Sequence, residues 1–186
     1  MHKKMINNKL KKYIFIENLD EKIKKNIKKL KNCQIIFNND EHDKISLKKC
    51  IEIKDFCIKN QIPLYIKNNY KIALKIKADG IFISSNNRRI YLNKFLLKKF
   101  NIIGSAHNQL EYYFKKMQNC KTITLSPIFF NPKYSINKIL GPIRFNLISK
   151  MWKTDLCALG GVCKENIRKI NLTRVSSIAF QRLITK

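Results

Sequence analysis

The stretch Ala158-Leu159-Gly160-Gly161-Val162 carries an apolar run into a pair of glycines, and a helix-like segment over residues 164–170 follows it. Glycine adopts backbone conformations that other residues avoid and lets other groups approach the main chain closely. A strand that ends in paired glycines before a helix presents backbone N–H groups and the helix dipole to an anion, which is a common way to hold phosphate. Glycines at such junctions also serve packing or turns alone, so the meaning of this pair depends on its place in the chain.

The rest of the chain repeats this pattern of strand and helix. Short apolar runs rich in Ile, Phe, Tyr and Leu alternate with amphipathic segments along the whole length. The predicted strands cover residues 13–16, 33–37, 63–66, 80–83, 101–104, 122–126, 156–160 and 174–178. The predicted helices cover residues 21–30, 46–60, 70–77, 92–100, 107–118, 142–150 and 164–170, with a brief last helix over 180–184.

This alternation predicts an α/β protein with a parallel sheet and outer helices, and eight apolar strands allow the sheet to close. We therefore expect a (βα)8 TIM barrel, a single domain over residues 1–186 with short loops. The alternative is an open doubly wound sheet, but residues 16–20 after the first strand contain no glycine-rich dinucleotide loop. In the barrel, Gly160 and Gly161 follow the seventh strand, while Ser176 and Ser177 lie on the eighth. The loops of those two strands commonly bind phosphate.

Composition limits the partners of the chain. A formal net charge of +27 and 45% hydrophobic residues indicate a globular, strongly basic protein with a general attraction to anions. The lysines are spread along the chain instead of clustering with arginines and aromatics, which argues against specific nucleic-acid binding. No apolar run approaches the ~20 residues of a membrane span, and the N-terminus does not resemble a secretory signal. We expect a cytoplasmic protein with no membrane partner.

The cysteines indicate neither disulfides nor a metal site. They include no CxxC pair, and the three histidines are scattered. We interpret the thiols as small apolar side chains without a catalytic role. They are Cys33, Cys50, Cys57, Cys120, Cys157 and Cys163.

A series of motifs runs in order from residue 63 to the glycine pair. They are 63–74 (PLYIKNNYKIAL), 78–83 (ADGIFI), 102–107 (IIGSAH), 125–129 (LSPIF), 140–142 (LGP) and 158–162 (ALGGV). In this order they resemble the motifs of the thiamine-phosphate synthases and the related thiazole tautomerases. The resemblance covers roughly residues 60–180 and implies a (βα)8 barrel.

The resemblance also implies a reaction of thiamine biosynthesis. A transferase of this family joins hydroxymethylpyrimidine pyrophosphate to a thiazole phosphate and releases pyrophosphate, with Mg²⁺ on the pyrophosphate. Negative charge builds up on the leaving group, so metal ions or cationic side chains must stabilise it. The substrate-binding positions that the resemblance implies include Asn68, Ser105, Asn131, Lys133, Gly160, Gly161, Ser176 and Ser177.

The pyrophosphate half of the site departs from the family pattern. Where the family has Gln-x-Arg-x-Lys on the second strand, this chain reads QIIFN over residues 34–38, so Gln34 and Asn38 remain as binding candidates. The metal-binding carboxylates are replaced by Asn68 and Asn87, and a neutral amide binds Mg²⁺ more weakly than a carboxylate. Lys67 is a candidate catalytic residue. Together with Arg88 and Arg89, it would replace part of the positive charge of the metal.

His107 is the second candidate catalytic residue, because the matching histidine is thought to move protons in the tautomerase branch. The alternative is a helix-start histidine beside a capping Ser105. Three functions follow in order: a synthase that uses Mg²⁺, a thiazole tautomerase, or a catalytically impaired barrel that binds a phosphorylated ligand. The sequence leaves the oligomeric state open, a homodimer included.

Overall fold

The computed structural model describes residues 10–38, 47–90, 98–132, 134–163 and 165–180. Eight parallel strands pair in sequence order, and β8 closes the sheet onto β1. The predicted barrel is confirmed. The strands are β1 Lys11–Ile16, β2 Cys33–Phe37, β3 Leu64–Lys67, β4 Gly80–Ile83, β5 Asn101–Ala106, β6 Thr122–Leu125, β7 Asp155–Ala158 and β8 Ser177–Phe180.

Helices connect most of the strands, as the alternating pattern predicts. They are α1 Glu21–Lys28, α2 Leu47–Lys59, α3 Tyr70–Lys75, α4 Gln109–Met117 and α5 Gly141–Met151, with short 3-10 helices at Ile136–Lys138 and Ile167–Leu172. Asp20, Asn69 and Asn108 begin α1, α3 and α4 as side-chain caps of a backbone N–H. The predicted helix over 92–100 falls mainly outside the described residues, as does 181–184 of the predicted last helix.

The strands bury both faces, which explains their nearly continuous apolar sequences. Successive side chains of a strand point to opposite faces, so alternate positions fill the barrel and the others pack under the helices. The inner cluster consists of Tyr13, Ile36, Tyr65, Phe82, Ile103, Cys157, Leu159 and Ala179, with Phe15 beside it. The larger outer cluster includes Ile35, Phe37 and Leu64 from the strands and Ile27, Ile53 and Phe145 from the helices.

The eighth strand lies later in the chain than the sequence predicts. It covers Ser177–Phe180 instead of 174–178. The preceding residues are engaged elsewhere: Thr173 N–H donates to the Ile170 carbonyl, and Arg174 N–H donates to Asn146 Oδ1 on α5. Because these donors are taken, pairing with β1 begins only at Ser177, which lies opposite Lys11.

The segment after the glycine pair also differs from the prediction. A helix was expected over 164–170, whereas the structure has a 3-10 helix at Ile167–Leu172. Asn166 precedes it and bonds back to the loop instead of extending a helix. Every described cysteine is a free thiol, and no helix within the described ranges is long and apolar enough to cross a membrane.

Candidate functional site

All eight strands run in the same direction, so their carboxyl ends open at one mouth of the barrel. Most of the candidate residues follow these ends directly. Asn38 follows β2, Asn68 follows β3, His107 follows β5 and the glycine pair follows β7. We take this mouth as the candidate functional site.

The glycine pair is required by its contact with the loop after β6. Gly160 and Gly161 have φ angles of +91° and +70°, values that favour glycine. A Cβ on Gly160 would lie 2.9 Å from Pro127, and one on Gly161 would lie 2.3 Å from the carbonyl oxygen of Phe130. The Gly160 carbonyl accepts from Phe129 N–H at 3.0 Å. Any side chain here would push the two loops apart.

The same loop presents consecutive unused donors. The N–H groups of Gly160, Gly161 and Val162 donate to no acceptor within the described parts of the chain. Behind them, Asn166 Nδ2 donates to the Gly161 carbonyl at 2.7 Å, and Asn166 Oδ1 accepts from Cys163 N–H at 2.9 Å. Successive N–H groups on a backbone of this kind form a concave anion site. The loop is therefore fixed from behind, with its donors available to a ligand.

His107 lies beside the loop after β6. Its Nδ1 is 2.9 Å from the Ser126 carbonyl oxygen and 3.2 Å from Ser126 Oγ. A carbonyl oxygen only accepts, so this contact assigns the proton of a neutral ring to Nδ1 and leaves Nε2 as the basic nitrogen. The His107 N–H donates to Glu111 Oε2 at 2.7 Å, which orients the residue from the other side. Ser105, two residues earlier, is buried on the inner face of β5.

Asn68 and Asn87 form one amide network across the ends of β3 and β4. Asn68 Oδ1 accepts from Ser84 N–H at 3.0 Å and from Asn87 Nδ2 at 3.2 Å. Asn68 Nδ2 donates to Ser84 Oγ at 2.8 Å, and Asn87 Oδ1 accepts from Arg89 N–H at 3.1 Å. The two residues that the sequence assigned to one metal site thus lie in direct contact.

The barrel below the mouth is filled by aromatic pairs. Tyr13 and Tyr65 meet edge to face at 5.9 Å between ring centroids, and Phe15 and Phe82 do so at 5.1 Å. Burial raises the pKa of Tyr65 to about 12 and raises that of Tyr13 as well. The tyrosines are therefore neutral packing residues, and the chemistry of the site is confined to the mouth.

The comparisons with known proteins agree with this architecture. The family model described as thiamine monophosphate synthase matches residues 11–184. The chain belongs to the thiamine monophosphate synthase family. A thiamine-phosphate synthase from Flavobacterium psychrophilum is 30% identical over 141 residues, which cover 72% of this chain and 68% of that protein. One from Flavobacterium johnsoniae is 30% identical over 156 residues, which cover 80% and 73%.

A solved structure gives the same result for the fold. Thiamine phosphate pyrophosphorylase from Pyrococcus furiosus superposes with a TM-score of 0.72 at 18% identity, over 94% of this chain and 86% of that one. At this identity the likeness shows the fold alone. The sequence relatives show the family, and this chain is a thiamine-phosphate synthase-like protein of thiamine biosynthesis.

Three family positions do not reach the mouth. Ser176 and Ser177 lie at the amino end of β8, at the opposite end of the barrel from the glycine pair, because β8 begins at Ser177. The expectation that they hold the thiazole phosphate is corrected accordingly. Gln34 is the second residue of β2 and lines a cavity of about 710 Å³ at that same amino end, together with Lys11 and Asn32.

The other predicted residues are placed as follows. Asn38 donates from Nδ2 to Glu17 Oε1 at 3.2 Å beside the end of β1. Lys67 ends β3, two residues beyond the inward-facing Tyr65, so its side chain begins at the rim. Arg88 lies over the ring of Phe114 at 5.2 Å, on the side of α4. Asn131 follows the β6 loop, and Lys133 lies outside the described residues.

The described residues at the mouth do not fit the Mg²⁺ that the family resemblance implies. The side-chain oxygens of Asn68 and Asn87 already accept hydrogen bonds from backbone or amide N–H groups. No cluster of three or more His, Cys, Asp or Glu side chains occurs in the described part of the chain. Mg²⁺ requires hard oxygen ligands, preferably carboxylates, and Asn68 and Asn87 supply no carboxylate.

Sequence reasoning missed Asn166, which fixes the glycine loop from behind. Its signal was present as an asparagine five residues after Gly161, in a segment interpreted as helix. Asparagine bonds readily to nearby backbone and disfavours helix interiors for that reason. An asparagine close behind a glycine pair therefore indicates a turn that supports the loop.

Proposed function

We propose that this chain joins hydroxymethylpyrimidine pyrophosphate to thiazole phosphate and releases pyrophosphate. The observation that carries the proposal is the glycine loop, whose consecutive N–H groups face no acceptor among the described residues. The dianionic phosphate of the thiazole matches these donors. The net charge of +27 adds a general attraction for both phosphorylated substrates.

The reaction requires little proton transfer by the protein. The bond between the pyrimidine methylene carbon and the pyrophosphate oxygen breaks, and its electron pair leaves with the pyrophosphate. The thiazole nitrogen then donates its lone pair to the methylene carbon and forms the new C–N bond. The protein's contribution is to hold the two substrates in line and to stabilise the leaving charge.

Different residues of the mouth hold the substrates and stabilise the charge of the leaving group. Gly160, Gly161 and Val162 bind the thiazole phosphate through their N–H groups. Lys67 at the end of β3 faces the leaving pyrophosphate as a cation, and Asn38 offers an amide at the end of β2. The aromatic pair Phe15 and Phe82 gives the pyrimidine ring an apolar floor.

The test is product formation from the purified chain. The protein is incubated with both substrates, and thiamine phosphate is measured by mass spectrometry. We expect thiamine phosphate from the wild-type chain. Lys67→Met should form it at least about tenfold more slowly, because the charge on the leaving group is no longer balanced. Lys71→Met, an exposed lysine on α3, is the control and retains the wild-type rate.

A second candidate function, thiazole-phosphate tautomerisation, is favoured by the geometry of His107. Its Nδ1 contact with the Ser126 carbonyl leaves Nε2 as a base at the rim. Tautomerisation moves a proton between two positions of the thiazole phosphate and needs no second substrate. A chain that isomerises the thiazole phosphate through His107, and makes no thiamine phosphate, would replace the first proposal with this one.

A further inference from the structure

Helix α4 directs a lysine into the protein instead of into solvent. Lys115 is 0% exposed, and its stem packs so closely on β5 that a Cβ at Gly104 would lie 2.7 Å from Lys115 Cδ. Burial lowers the pKa of Lys115 to about 8. Neither ion pair in the described part of the chain includes Lys115. A buried ammonium without a carboxylate partner requires other acceptors.

Those acceptors belong to the loop after β4. Lys115 Nζ donates to the Asn87 carbonyl at 2.8 Å and to Gln118 Oε1 at 2.9 Å. Gln118 Nε2 in turn donates to the carbonyls of Asn87 and Arg89, at 2.8 and 3.0 Å. Gln118 is 1% exposed. The two side chains therefore clamp residues 87–89 against the carboxyl-terminal end of α4.

The clamp and the amide network use the same residue. Asn87 accepts from Lys115 and Gln118 through its backbone carbonyl, and from Arg89 N–H through Oδ1. Its Nδ2 donates to Asn68. Both oxygens of Asn87 and the side-chain oxygen of Asn68 thus accept hydrogen bonds, and the ammonium of Lys115 is the cation that binds the Asn87 carbonyl.

We propose that the Lys115 ammonium organises the loop after β4 in the place of a divalent cation, so that this mouth binds pyrophosphate without Mg²⁺. A divalent cation at Asn68 Oδ1 would have to displace the N–H donors of Ser84 and Asn87 that already occupy this oxygen, and an ammonium already binds the Asn87 carbonyl. Pyrophosphate as the ligand rests on the proposed function. Lys115 acts through the loop and is a positioning residue.

The first experiment measures inorganic pyrophosphate binding by calorimetry, in EDTA and in excess Mg²⁺. Free pyrophosphate is more negative than its Mg²⁺ complex, so the wild-type chain is expected to bind it at least as tightly in EDTA. The double variant Asn68→Asp with Asn87→Asp should reverse this order, because its carboxylates repel the anion until Mg²⁺ binds. Wild-type binding that is lost in EDTA and restored by Mg²⁺ would overturn the proposal.

The second experiment follows hydrogen exchange of the amides of residues 84–89. Lys115→Met should speed their exchange about tenfold, whereas Lys116→Met, the exposed neighbour on the same helix, should leave it unchanged. Mg²⁺ should not slow exchange in the wild-type chain, a result that can be obtained even if Lys115→Met does not fold. Mg²⁺-dependent protection of residues 84–89 would contradict the proposal.

The two proposals fail separately. Absence of thiamine phosphate from both substrates would overturn the synthase assignment, while the effect of EDTA on pyrophosphate binding and the exchange of residues 84–89 would stand. Conversely, a chain that makes thiamine phosphate only with Mg²⁺, and whose loop Mg²⁺ protects, would keep the synthase assignment and reject the role of Lys115.

Discussion

Gly161 carries the tightest steric constraint at the mouth. Its φ of +70° is unfavourable for other residues, and a Cβ would lie 2.6 Å from the Phe129 carbonyl carbon as well as 2.3 Å from the Phe130 oxygen. Gly141 has a similar φ of +61°, but a Cβ there would meet nothing within 4 Å. A substitution would strain the backbone at both positions, but only at Gly161 would the new side chain also clash with neighbouring atoms.

Alanine at these two glycines is expected to separate the two effects. Gly141→Ala should cost about 1 kcal/mol of unfolding free energy from backbone strain. Gly161→Ala should cost more and should weaken thiazole-phosphate binding about tenfold or beyond, because the loops after β6 and β7 move apart. Calorimetry and urea unfolding measure both quantities. Equal binding by the two variants would show that the glycine loop does not hold the phosphate.

At the scale of the element, α4 combines an ordinary cap with an unusual buried face. Asn108 Oδ1 accepts from Glu111 N–H at 2.9 Å and begins the helix. Asn108→Ala should therefore destabilise the protein by about 1 kcal/mol. Because α4 carries Lys115 and ends at its C-cap Gln118, the variant should also speed hydrogen exchange in the 84–89 loop. Destabilisation without faster exchange there would show that the loop is held independently of α4.

The pH dependence of stability tests the burial of Lys115. Its pKa falls from 10.5 to about 8 on folding, so between those values the unfolded chain binds more protons and stability rises with pH. Between about pH 7 and about pH 9.5, the unfolding free energy of the wild-type chain should rise by about 1 to 2 kcal/mol relative to that of Lys115→Met. Lys116→Met should show the same change of unfolding free energy with pH as the wild-type chain. Identical pH profiles for wild type and Lys115→Met, from urea unfolding, would contradict the assignment.

Nearby thiols do not obscure this comparison. Burial raises the pKa of Cys120, Lys115's neighbour, to about 12, and it does the same for Cys57 and Cys157. In the folded chain these thiols remain neutral over the range of the experiment, and their ionisation in the unfolded chain is the same in the wild type and in Lys115→Met, so it cancels from the difference. The other charged groups that act on Lys115 are Glu111 and Arg88.

At the scale of the whole molecule, the sequence predicts the barrel well because strands buried on both faces have continuous apolar sequences. Runs such as 33–37 and 80–83 match their strands at both ends. The eighth strand was misplaced because Ser176 and Ser177 are polar in either position, and only the pairing with β1 determines where the ladder begins. The error moved two predicted phosphate ligands to the wrong end of the barrel.

The site was predictable where local sequence determines geometry and unpredictable where distant residues meet. The glycine pair and the contact between Asn68 and Asn87 follow from the motifs, while the replacement of the metal-binding carboxylates by these two residues stays a prediction. The clamp could not, because Lys115 and Asn87 are 28 residues apart, and a lysine on a Lys-rich helix is typical of a solvated face. Burial of that lysine depends on Gly104, whose lack of a side chain makes room for it.

The net charge of +27 is also a property of the whole molecule. Like charges repel one another in the compact state, and salt screens this repulsion. Raising NaCl from about 0.02 to about 0.3 M should therefore raise Tm by about 2 to 4 °C. Sodium chloride is preferred to sulfate, which would also bind the phosphate site. A Tm that falls with NaCl would show that attractive ion pairs outweigh the repulsion.

The most direct test of the central claim follows the amide resonances of a ¹⁵N-labelled chain during titration with thiazole phosphate. If the glycine loop binds the phosphate, the N–H signals of Gly160, Gly161 and Val162 should move downfield together and saturate at the calorimetric affinity, while those of Ser176 and Ser177 remain in place. Saturable binding that leaves the glycine-loop amides unmoved, or that shifts the two serines instead, would contradict it.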